Sequence, residues 1–308
     1  MTPTTPTVDR STGAIAVVGA GIAGLAAALT LADAGRDVVL IDRRTFPRRK
    51  ACGGCLNERA VAALDALGVG HILDDAPITT HLSVHAGRHR LRRPLPPGRA
   101  MTRATLDERL RDAAVERGVR FLGGQAARLG DVDDAARRVH VGALTLDADV
   151  VLLADGLAGT AAGSHLPPPV IRRRSPIGLA VVLPREVAPD ATDPGEIRMM
   201  IGPGGYVGVT RVEGGRLTIG AAIDPRRAPA AETARDVVVR IVRPHRPGLA
   251  DALAGASPDE WFGAPPLARR RPCLATSRVL VIGDAAGYVE PFTGEGMAWA
   301  LDAGRRAA

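Results

Sequence analysis

Three glycines near the start of the sequence have the spacing of a phosphate-binding turn. Gly19, Gly21 and Gly24 follow the four apolar residues Ile15 to Val18 and lead into an Ala/Leu-rich segment that Gly35 ends. In such a unit one glycine permits the tight turn, one lets a pyrophosphate approach the backbone, and one lets the helix pack closely on the strand. The free N–H groups and the positive dipole end of the helix then face the phosphates. The pattern predicts strand, turn and helix around a dinucleotide.

An acidic residue follows the glycines at the distance that a ribose contact requires. Asp42 ends the apolar run Val38 to Ile41, and a carboxylate about twenty residues after the glycines can accept hydrogen bonds from two ribose hydroxyls. Arg43 comes next, at the start of a basic run that is solvated by default but is placed to contact the adenylate or the pyrophosphate. The apolar run 13–35 is long enough to span a bilayer, but it contains Asp33 and leads directly into a strand pattern. We therefore expect no membrane anchor there.

Two further acids end predicted buried strands late in the chain. Asp155 follows the run 150–154 and is succeeded by Gly156, whereas Gly283 and Asp284 follow Val279 to Ile282. The carboxyl ends of strands in an open α/β sheet line the ligand crevice, so both acids are expected to point at the dinucleotide. A helix is expected to begin near Gly294 to Gly296, with its first N–H groups facing an anionic group.

Cys52 and Cys55 form a C-x-x-C pair, which is typical of dithiol redox chemistry or of zinc binding. No second pair of suitable ligands follows, so no metal site is predicted. A dithiol that exchanges electrons with a flavin remains an alternative, although disulfide reductases carry a second nucleotide-binding unit and no second G-x-G-x-x-G occurs here. Four histidines are interpreted as surface or strand-face residues: His71, His81, His85 and His89.

Composition limits the class of protein. The 308 residues are 46% hydrophobic but only 3% aromatic, so Ala, Val and Leu must fill the core. The formal net charge is +7, which suits an anionic ligand. Because Lys50 is the single lysine and no basic helix face carries interleaved aromatics, we do not expect nucleic-acid binding. Three cysteines without a secretory signal favour a reducing, cytoplasmic setting.

The elements that would position these residues fall into two regions with different secondary-structure patterns. Helical spacing predicts helices over 57–67, from 102 to 117, and over 231–242, while the region after Pro169 has alternating strand patterns and many glycines. Residues 94–98 are predicted to be a turn-rich boundary. The expected organisation is a disordered tail at 1–12, a discontinuous nucleotide-binding domain at 13–80, 99–166 and 273–308, and a substrate domain at 81–98 and 167–272.

Together these motifs resemble the FAD-dependent oxidoreductases that include aromatic-ring hydroxylases and geranylgeranyl reductases. The resemblance covers most of the chain and rests on the glycine fingerprint with Asp42, on Asp155-Gly156, and on the segment from Gly283 to Gly296. The segment Lys50-Ala51-Cys52-Gly53-Gly54 is similar to the signature of the geranylgeranyl reductase branch. The resemblance implies an α/β fold, with a Rossmann-like FAD-binding domain of the glutathione-reductase type and a mainly antiparallel β-sheet substrate domain.

The same resemblance implies roles for individual residues. Arg103 would lie near the FAD phosphates or ribose, and Asp284 near the pyrophosphate or ribitol. The backbone from Gly294 through Gly296 to Met297 would face the pyrimidine side of the isoalloxazine, and the sheet around Tyr206 would cover its substrate face. Two departures stand out: the segment 155–160 lacks the serine and arginine that usually follow the Asp-Gly pair, which bears on nicotinamide-cofactor handling, and relatives continue with a further helical region.

The implied reaction is hydride transfer from reduced FAD to a carbon–carbon double bond of an apolar, isoprenoid-like or polyketide substrate, with NAD(P)H as transient electron donor. Cys52, or less directly Tyr206, would protonate the neighbouring carbon, although Cys52 equally suits a small residue packed under the flavin. The alternatives are hydroxylation of an aromatic or polyketide substrate with dioxygen, and dithiol exchange through Cys52 and Cys55. No transmembrane segment is expected, and peripheral contact with a membrane is compatible with an apolar substrate.

Overall fold

A computed structural model describes residues 8–9, 13–227 and 232–308, with Val8 and Asp9 described by their backbone alone. The helices are α1 (Ile22–Asp33), α2 (Glu58–Ala66), α3 (Arg103–Glu116), α4 (Ala234–Val242), α5 (Pro247–Gly255) and α6 (Gly296–Ala307). The strands are β1 (Val8–Asp9), β2 (Ile15–Val18), β3 (Val38–Asp42), β4 (Cys55–Leu56), β5 (Ile78–Ala86), β6 (His89–Ala100), β7 (Arg120–Gly123), β8 (Ala127–Val132), β9 (Arg137–Val141), β10 (Leu144–Ala148), β11 (Val150–Leu153), β12 (Val170–Ile171), β13 (Ile177–Leu183), β14 (Glu196–Gly202), β15 (Gly205–Arg211), β16 (Leu217–Ile223), β17 (Phe262–Ala264), β18 (Arg269–Arg270), β19 (Ala275–Thr276), β20 (Val279–Val281) and β21 (Gly287–Tyr288).

A six-stranded sheet carries the predicted nucleotide-binding motifs. Its order is β19-β20-β11-β2-β3-β7, and the five strands from β20 to β7 pair in parallel, whereas the edge strand β19 is antiparallel to β20. Strands β2 and β3 are buried along their whole length, as expected when helices cover both faces of a parallel sheet. Their carboxyl ends, with those of β11 and β20, lie along one edge.

The second large sheet has eight strands, in the order β17-β13-β16-β15-β14-β5-β6-β4. All its neighbouring pairs are antiparallel except β14 with β5. Helices α4 and α5 pack on one face, where their apolar residues share a core with Met200, Val207 and Val209. The opposite face approaches the six-stranded sheet, because Gly220 of β16 lies against the backbone of Cys52 and Gly53.

Two smaller sheets complete the fold. The four-stranded sheet β1-β10-β9-β8 includes the predicted pair of strands β9 and β10, and the three-stranded sheet β12-β18-β21 joins the ends of the second region to the segment after Asp284. The mixture of a parallel sheet with mainly antiparallel sheets confirms the predicted fold class.

Two local predictions were wrong. Residues 94–98 do not form a turn but belong to the long strand β6, because a register shift opposite Thr79 and His81 takes up Pro96 and Pro97 between paired positions. A bulge tolerates prolines that a regular ladder would not. Helix α5 was not predicted at all; its Gly and Ala content gives little periodic signal, and burial of Leu249 and Leu253 against the sheet stabilises it.

The proposed domain division remains a prediction, and the structure adds detail to it. Its boundary at residue 80 falls inside strand β5, which starts at Ile78. Most of the predicted disordered tail lies outside the described residues, and Val8 and Asp9 pair in parallel with β10. Within the described ranges, no helix combines the length and apolarity that crossing a bilayer requires.

Candidate active site

The glycine turn between β2 and α1 has the close contacts that its motif predicts. Gly19 has φ +108°, and a Cβ there would lie 2.3 Å from the carbonyl oxygen of Ala154. A Cβ on Gly24 would lie 1.9 Å from the carbonyl oxygen of Gly19. Gly21 differs, because the nearest atom to its Cβ position is a guanidinium nitrogen of Arg48 at 3.7 Å. The turn is therefore tight where helix meets strand and open at Gly21, where a pyrophosphate would approach.

Asp42 lies at the carboxyl end of β3 and holds the turn beside it. Its carboxylate accepts hydrogen bonds from the backbone N–H of Ala20 at 2.8 Å and of Arg44 at 2.9 Å. Arg48 crosses the same place: its Nη2 donates to the carbonyl of Ala20 at 2.8 Å and lies 3.7 Å from Asp42. The buried Nε of Arg48 has no partner, so this guanidinium keeps a donor for an anionic ligand.

Two helices present uncapped N-termini to this crevice. Neither α1 nor α6 has a side-chain cap or an acidic residue in its first turn, whereas α2, α3 and α4 are capped by Asn57, Thr102 and Thr233. Unpaired N–H groups and the positive end of the dipole favour an anion at both places. Helices α1 and α6 pack together, with Gly304 of α6 against the Ala23 carbonyl in the first turn of α1. The N-terminus of α6 therefore lies about 12 Å further along its own helix axis, so the two N-termini serve different parts of a long ligand.

The start of α6 has the open backbone that the sequence predicts. Gly294 has φ +70° and no atom within 4 Å of its Cβ position, while Gly296 has only Tyr288 nearby, at 3.9 Å. Met297 is buried in the first turn and packs into the core of the nucleotide-binding region. The segment leaves room for a flat ring beside the helix terminus.

Arg103 lies in the crevice but is engaged by its own helix. Its Nε and Nη2 donate to both carboxylate oxygens of Asp107, at 2.8 and 2.9 Å. Asp107 is fully buried and also lies 3.1 Å from Arg48. Burial by itself would lower the pKa of Arg103. The negative charge of Asp107, with smaller contributions from Cys52 and Asp284, outweighs burial and raises this pKa. Arg103 thus supplies a fixed positive charge, whereas its Nε and Nη2 donors are already used by Asp107.

Asp155 lies at the carboxyl end of β11, yet its carboxylate turns back on its own loop. It accepts a hydrogen bond from the N–H of Ala161 at 3.0 Å, and Gly159 is in close contact with it. Burial raises its pKa. Arg43 is exposed and is near enough to affect this carboxyl. A contribution of this segment to a dinucleotide would therefore come from the Gly156 backbone more than from the Asp155 side chain.

Asp284 and Lys50 form an ion pair across the crevice between residues that are 234 positions apart in the chain. The Lys50 Nζ lies 3.2 Å from the Asp284 carboxylate, and both side chains are partly exposed. Gly283, with φ +60°, makes the turn that places Asp284 after β20 and lies close to Ala23 of α1. The single lysine of the chain therefore lies at the predicted cofactor site.

The Cys52 segment lies where the crevice meets the eight-stranded sheet. Thr218 Oγ1 donates to the carbonyl of Cys52 at 3.5 Å, and the Cβ position of Gly220 is 3.0 Å from the N–H nitrogen of Gly53. A side chain at residue 220 would push this segment away. Glycine at residue 220 thus allows the sheet and the Lys50–Gly54 segment to approach this closely without a shift of the segment.

Cys52 and Cys55 are both free thiols. Burial, with a contribution from Cys52, raises the pKa of the Cys55 thiol to about 12. A thiol with this pKa is almost entirely protonated at neutral pH, and only the thiolate attacks a disulfide. No group of three His, Cys, Asp or Glu residues in the described part of the chain is arranged to hold a metal.

Tyr206 reaches from β15 to the loop before α6. Its hydroxyl donates a short hydrogen bond to Glu290, and its ring meets Phe292 edge to face, with centroids 5.1 Å apart. Burial, followed by Glu290, raises the pKa of Tyr206 above its ordinary range. The phenol therefore keeps its proton throughout neutral pH at the boundary between the two sheets.

Sequence reasoning missed three residues of this region: Arg48, Tyr288 and Glu290. Tyr288 is partly buried, and the pKa of its phenol is raised by burial and then by Asp284, Cys52 and Glu290, which places it among the predicted site residues. For Arg48 the available signal was its basic run next to Asp42. Tyr288 and Glu290 follow the Gly283 motif directly, but nothing local indicates that they turn toward Cys52 and Tyr206.

The chain matches a family model and several characterised proteins. The model for the FAD binding domain matches residues 12–304. Menaquinone reductase of Mycobacterium tuberculosis (strain ATCC 25618 / H37Rv) is 34% identical, over 98% of this chain and 76% of the relative. The 3-amino-4-hydroxybenzoate 2-monooxygenase of Streptomyces cremeus is 30% identical, over 96% of this chain and 77% of the relative.

A reductase of isoprenoid lipids and a solved flavoenzyme structure also match. Digeranylgeranylglycerophospholipid reductase of Methanoculleus marisnigri is 27% identical, over 96% of this chain and 75% of the relative. The flavin-dependent brominase Bmp2 superposes with a TM-score of 0.78 at 18% identity, over 97% of this chain and 77% of the other, which shows a shared fold. The resemblance inferred from the motifs is thereby confirmed. The chain belongs to the FAD-binding domain family and is an FAD-dependent oxidoreductase.

Proposed function

We propose that this protein reduces a carbon–carbon double bond of an apolar substrate, quinone-like, isoprenoid-like or polyketide. The observation that carries the proposal is the place of the Cys52 segment, which packs through Gly53 on Gly220 where the cofactor crevice meets the sheet. The names of two relatives, a menaquinone reductase and a digeranylgeranylglycerophospholipid reductase, support the same reaction class.

The residues of the crevice fit FAD. Gly21 leaves the backbone open, the uncapped N-termini of α1 and α6 offer N–H donors, and Arg48 has a buried unpaired Nε. We assign the pyrophosphate to Gly19, Gly21, Gly24 and Arg48, with Arg103 as nearby positive charge. The adenosine ribose is assigned to Asp42 with Arg43 beside it. The ribitol side is assigned to Asp284 and the Gly156 backbone, and the ring to the backbone from Gly294 through Gly296 to Met297.

FAD, when bound and reduced, supplies a hydride to one carbon of the double bond. The protein must then deliver a proton to the neighbouring carbon, so that the substrate gains two hydrogens. Cys52 and Tyr206 are the candidate donors. Tyr206 is held protonated beside Glu290, and the backbone of Cys52 and Gly53 is held against the sheet at Thr218 and Gly220.

The electron donor, the setting and the partners are part of the proposal. NAD(P)H is the proposed transient donor, and three free cysteines suit a reducing cytoplasm. The substrate is a small apolar molecule and not a nucleic acid. If that substrate is held in a bilayer, the protein would contact the membrane surface peripherally.

Anaerobic turnover tests the reaction class. Purified protein loaded with FAD is supplied with NADPH and a quinone or polyprenyl substrate without dioxygen, and the product is analysed by mass. We expect a gain of two hydrogens. A product that forms only with dioxygen and gains one oxygen atom would instead support hydroxylation, the reaction class named for the Streptomyces relative.

Variants at the two candidate donors separate their roles. Cys52→Ala and Tyr206→Phe are compared by the rate at which NADPH reduces the enzyme and the rate at which substrate reoxidises it. Loss of the proton donor should slow only the second rate, by about 100-fold or more. A variant that slows neither rate would exclude the substituted residue as the proton donor. Cys55→Ser, which should abolish dithiol exchange, is expected to retain both rates.

A further inference from the structure

Helix α5 begins without a cap on the side of the eight-stranded sheet that faces away from Cys52. Arg246 occupies its N-cap position and makes no side-chain cap, Pro247 follows, and the first turn contains no acidic residue. The first N–H groups of a helix and its positive dipole end favour an anion. Elsewhere in the described chain, the uncapped helices α1 and α6 begin at the proposed cofactor site.

Two histidines meet beside this helix terminus. The rings of His85 and His245 have centroids 5.4 Å apart and planes inclined at 73°. His85 is only 6% exposed, and its Nδ1 is buried without a hydrogen-bond partner. Burying an imidazole nitrogen without a partner is energetically unfavourable, because the nitrogen gives up its hydrogen bond to water and gains none in the protein. This nitrogen therefore keeps unused hydrogen-bonding capacity, as a donor in one imidazole tautomer and as an acceptor in the other.

Two arginines complete the group. Arg90 is directly opposite His85 in the β5–β6 ladder, which places both side chains on one face of the sheet. The Nη1 of Arg246 donates to the carbonyl of His245 at 3.0 Å, while its Nε is buried without a partner. We call His85, Arg90, His245 and Arg246 the basic cluster.

The nearby carboxylates are already engaged by another arginine. Glu196 lies 2.7 Å from Arg198 and also accepts from Ser83, from Thr192 and from the N–H of Asp193. Asp193 lies 3.8 Å from Arg198. Arg198 is thus paired with these two acids. Both acids also oppose the lowering of the Arg246 pKa that burial causes, but among the described residues no carboxylate lies within ion-pair distance of a member of the basic cluster.

Burial and the neighbouring positive charges both oppose protonation of the two histidines. Burial, followed by Arg198, His245, Arg90 and Arg246, lowers the pKa of His85. The pKa of His245 is lowered in the same way by burial, Arg90 and Arg246. An anion bound among these groups would offset this repulsion. It would accept from the unpaired Nε of Arg246 and from His85 Nδ1 in the tautomer that carries its proton there.

We propose that the basic cluster and the N-terminus of α5 bind a phosphoryl group. Its several oxygens accept from guanidinium, imidazole and backbone donors together, which a single carboxylate cannot do as fully. The site lies on the α4/α5 face of the sheet, whereas the Cys52 segment packs on the opposite face. It is therefore separate from the proposed active site.

Orthophosphate binding to the FAD-loaded protein tests the proposal. Calorimetric titration with phosphate is compared with chloride at equal ionic strength for the wild type and for Arg246→Ala and Arg90→Ala. Each substitution should weaken phosphate binding about 10-fold or more. Arg243→Ala and Arg93→Ala are matched controls, because each removes an exposed arginine from the same connection or strand but outside the basic cluster, and each should change affinity less than 2-fold.

A second arm identifies the source of the phosphoryl group. Vesicles of phosphatidic acid in phosphatidylcholine are compared with phosphatidylcholine alone in a sedimentation assay, using the same variants. Binding of orthophosphate that depends on Arg246 and Arg90 indicates a free phosphate or phosphate ester, and vesicle binding with that dependence indicates a lipid headgroup. Absence of binding in both arms, or equal losses in the control variants, overturns the proposal. Circular dichroism of each variant establishes that it is folded.

Discussion

Arg48 lies over the glycine turn and joins two parts of the site. It contacts the carbonyl of Ala20 and the carboxylate of the buried Asp107, and its Nε is unpaired. Asp107 is shared with Arg103, so two guanidinium groups lie around one buried acid. Buried charge is costly unless it is paired. Arg48 also lies 3.7 Å from Asp42, so these charges balance, and what Arg48 offers the proposed pyrophosphate is the unpaired Nε donor of its guanidinium.

Replacing Arg48 should therefore weaken FAD binding. Arg48→Ala is expected to raise the dissociation constant for FAD about 10-fold or more, since charge-assisted hydrogen bonds contribute roughly 1.5–3 kcal/mol. Arg49→Ala removes the neighbouring exposed arginine, which contacts only the carbonyls of Asp259 and Glu260, and should change affinity less than 2-fold. Quenching of flavin fluorescence measures both; equal effects would contradict the assignment.

The glycines of the turn should respond differently to an added methyl group. Gly24→Ala would force a Cβ onto the Gly19 carbonyl and should prevent stable folding. Gly21→Ala has room in the protein, so the apoprotein should unfold within a few degrees of the wild type, while the methyl group hinders the pyrophosphate and weakens FAD binding about 10-fold. Gly255→Ala, with nothing near its Cβ position, is the control. Thermal unfolding and FAD titration give both quantities.

Cys55 should be unreactive in the folded protein. Because its pKa is raised to about 12, the thiolate fraction stays small until the pH approaches that value, and alkylation by iodoacetamide at pH 8.5 should spare it. In guanidinium chloride, where burial is lost, Cys55 should react at the same pH. Peptide mass analysis measures labelling in both states. Rapid labelling of folded Cys55 would restore the dithiol alternative.

Helix α3 is held by a contact from the second sheet. Glu213, in the turn between β15 and β16, accepts hydrogen bonds from the backbone N–H of Thr102 at 2.9 Å and from the hydroxyls of Thr102 and Thr105. It also pairs with Arg216. A carboxylate at a helix N-terminus stabilises the helix through its dipole. This acid, which the sequence presents only as part of a hairpin turn, fixes the first turn of α3 and hence Arg103.

Loss of that contact should destabilise the protein. Glu213→Ala leaves the buried N–H and hydroxyl of Thr102 without this acceptor and should reduce the free energy of unfolding by about 2 kcal/mol, within the range for hydrogen bonds to charged groups. Glu186→Ala, at an exposed position that forms no ion pair within the described part of the chain, should change it by less than about 0.5 kcal/mol. Urea unfolding of both variants provides the comparison, and similar values for the two would refute the role.

At the scale of the whole molecule, the crevice is built from distant parts of the chain. Strands β2, β3, β11 and β20 bring residues from both ends together, and Lys50 pairs with Asp284 across 234 positions. A ligand that contacts all of these strands stabilises the folded state as a whole. Its removal is therefore expected to loosen both halves of the chain together.

FAD should raise the unfolding temperature of the whole chain in one step. At a free concentration 100 times the dissociation constant, a ligand that binds only the folded state adds about 2.7 kcal/mol. We expect removal of FAD to lower the midpoint temperature of unfolding by a few degrees. Differential scanning calorimetry measures this midpoint. Arg48→Ala should diminish this ligand-dependent shift at a fixed FAD concentration, whereas Arg49→Ala should not. Unfolding that is insensitive to FAD would contradict the cofactor assignment.

The local sequence was sufficient to predict the nucleotide-binding unit. The run Ile15 to Val18, the spaced glycines and Asp42 specify strand, turn, helix and strand through contacts between near neighbours, and the same holds for the strands ending at Asp155 and Asp284. The resemblance that these motifs carry was enough to predict the family. Residues 94–98 were predicted wrongly and helix α5 was missed, because a bulge and a packing face, not local preference, decide their structure.

The sequence by itself thus determined the parallel nucleotide-binding core and the FAD family, because those signals lie within stretches of a few tens of residues. Only the tertiary structure decided that Tyr206 donates to Glu290 and that Glu213 holds Thr102, contacts that span 84 and 111 positions. It also decided that Asp155 turns onto its own loop and that His85 meets His245. Such pairings depend on how the sheets pack, which no local pattern of residues records.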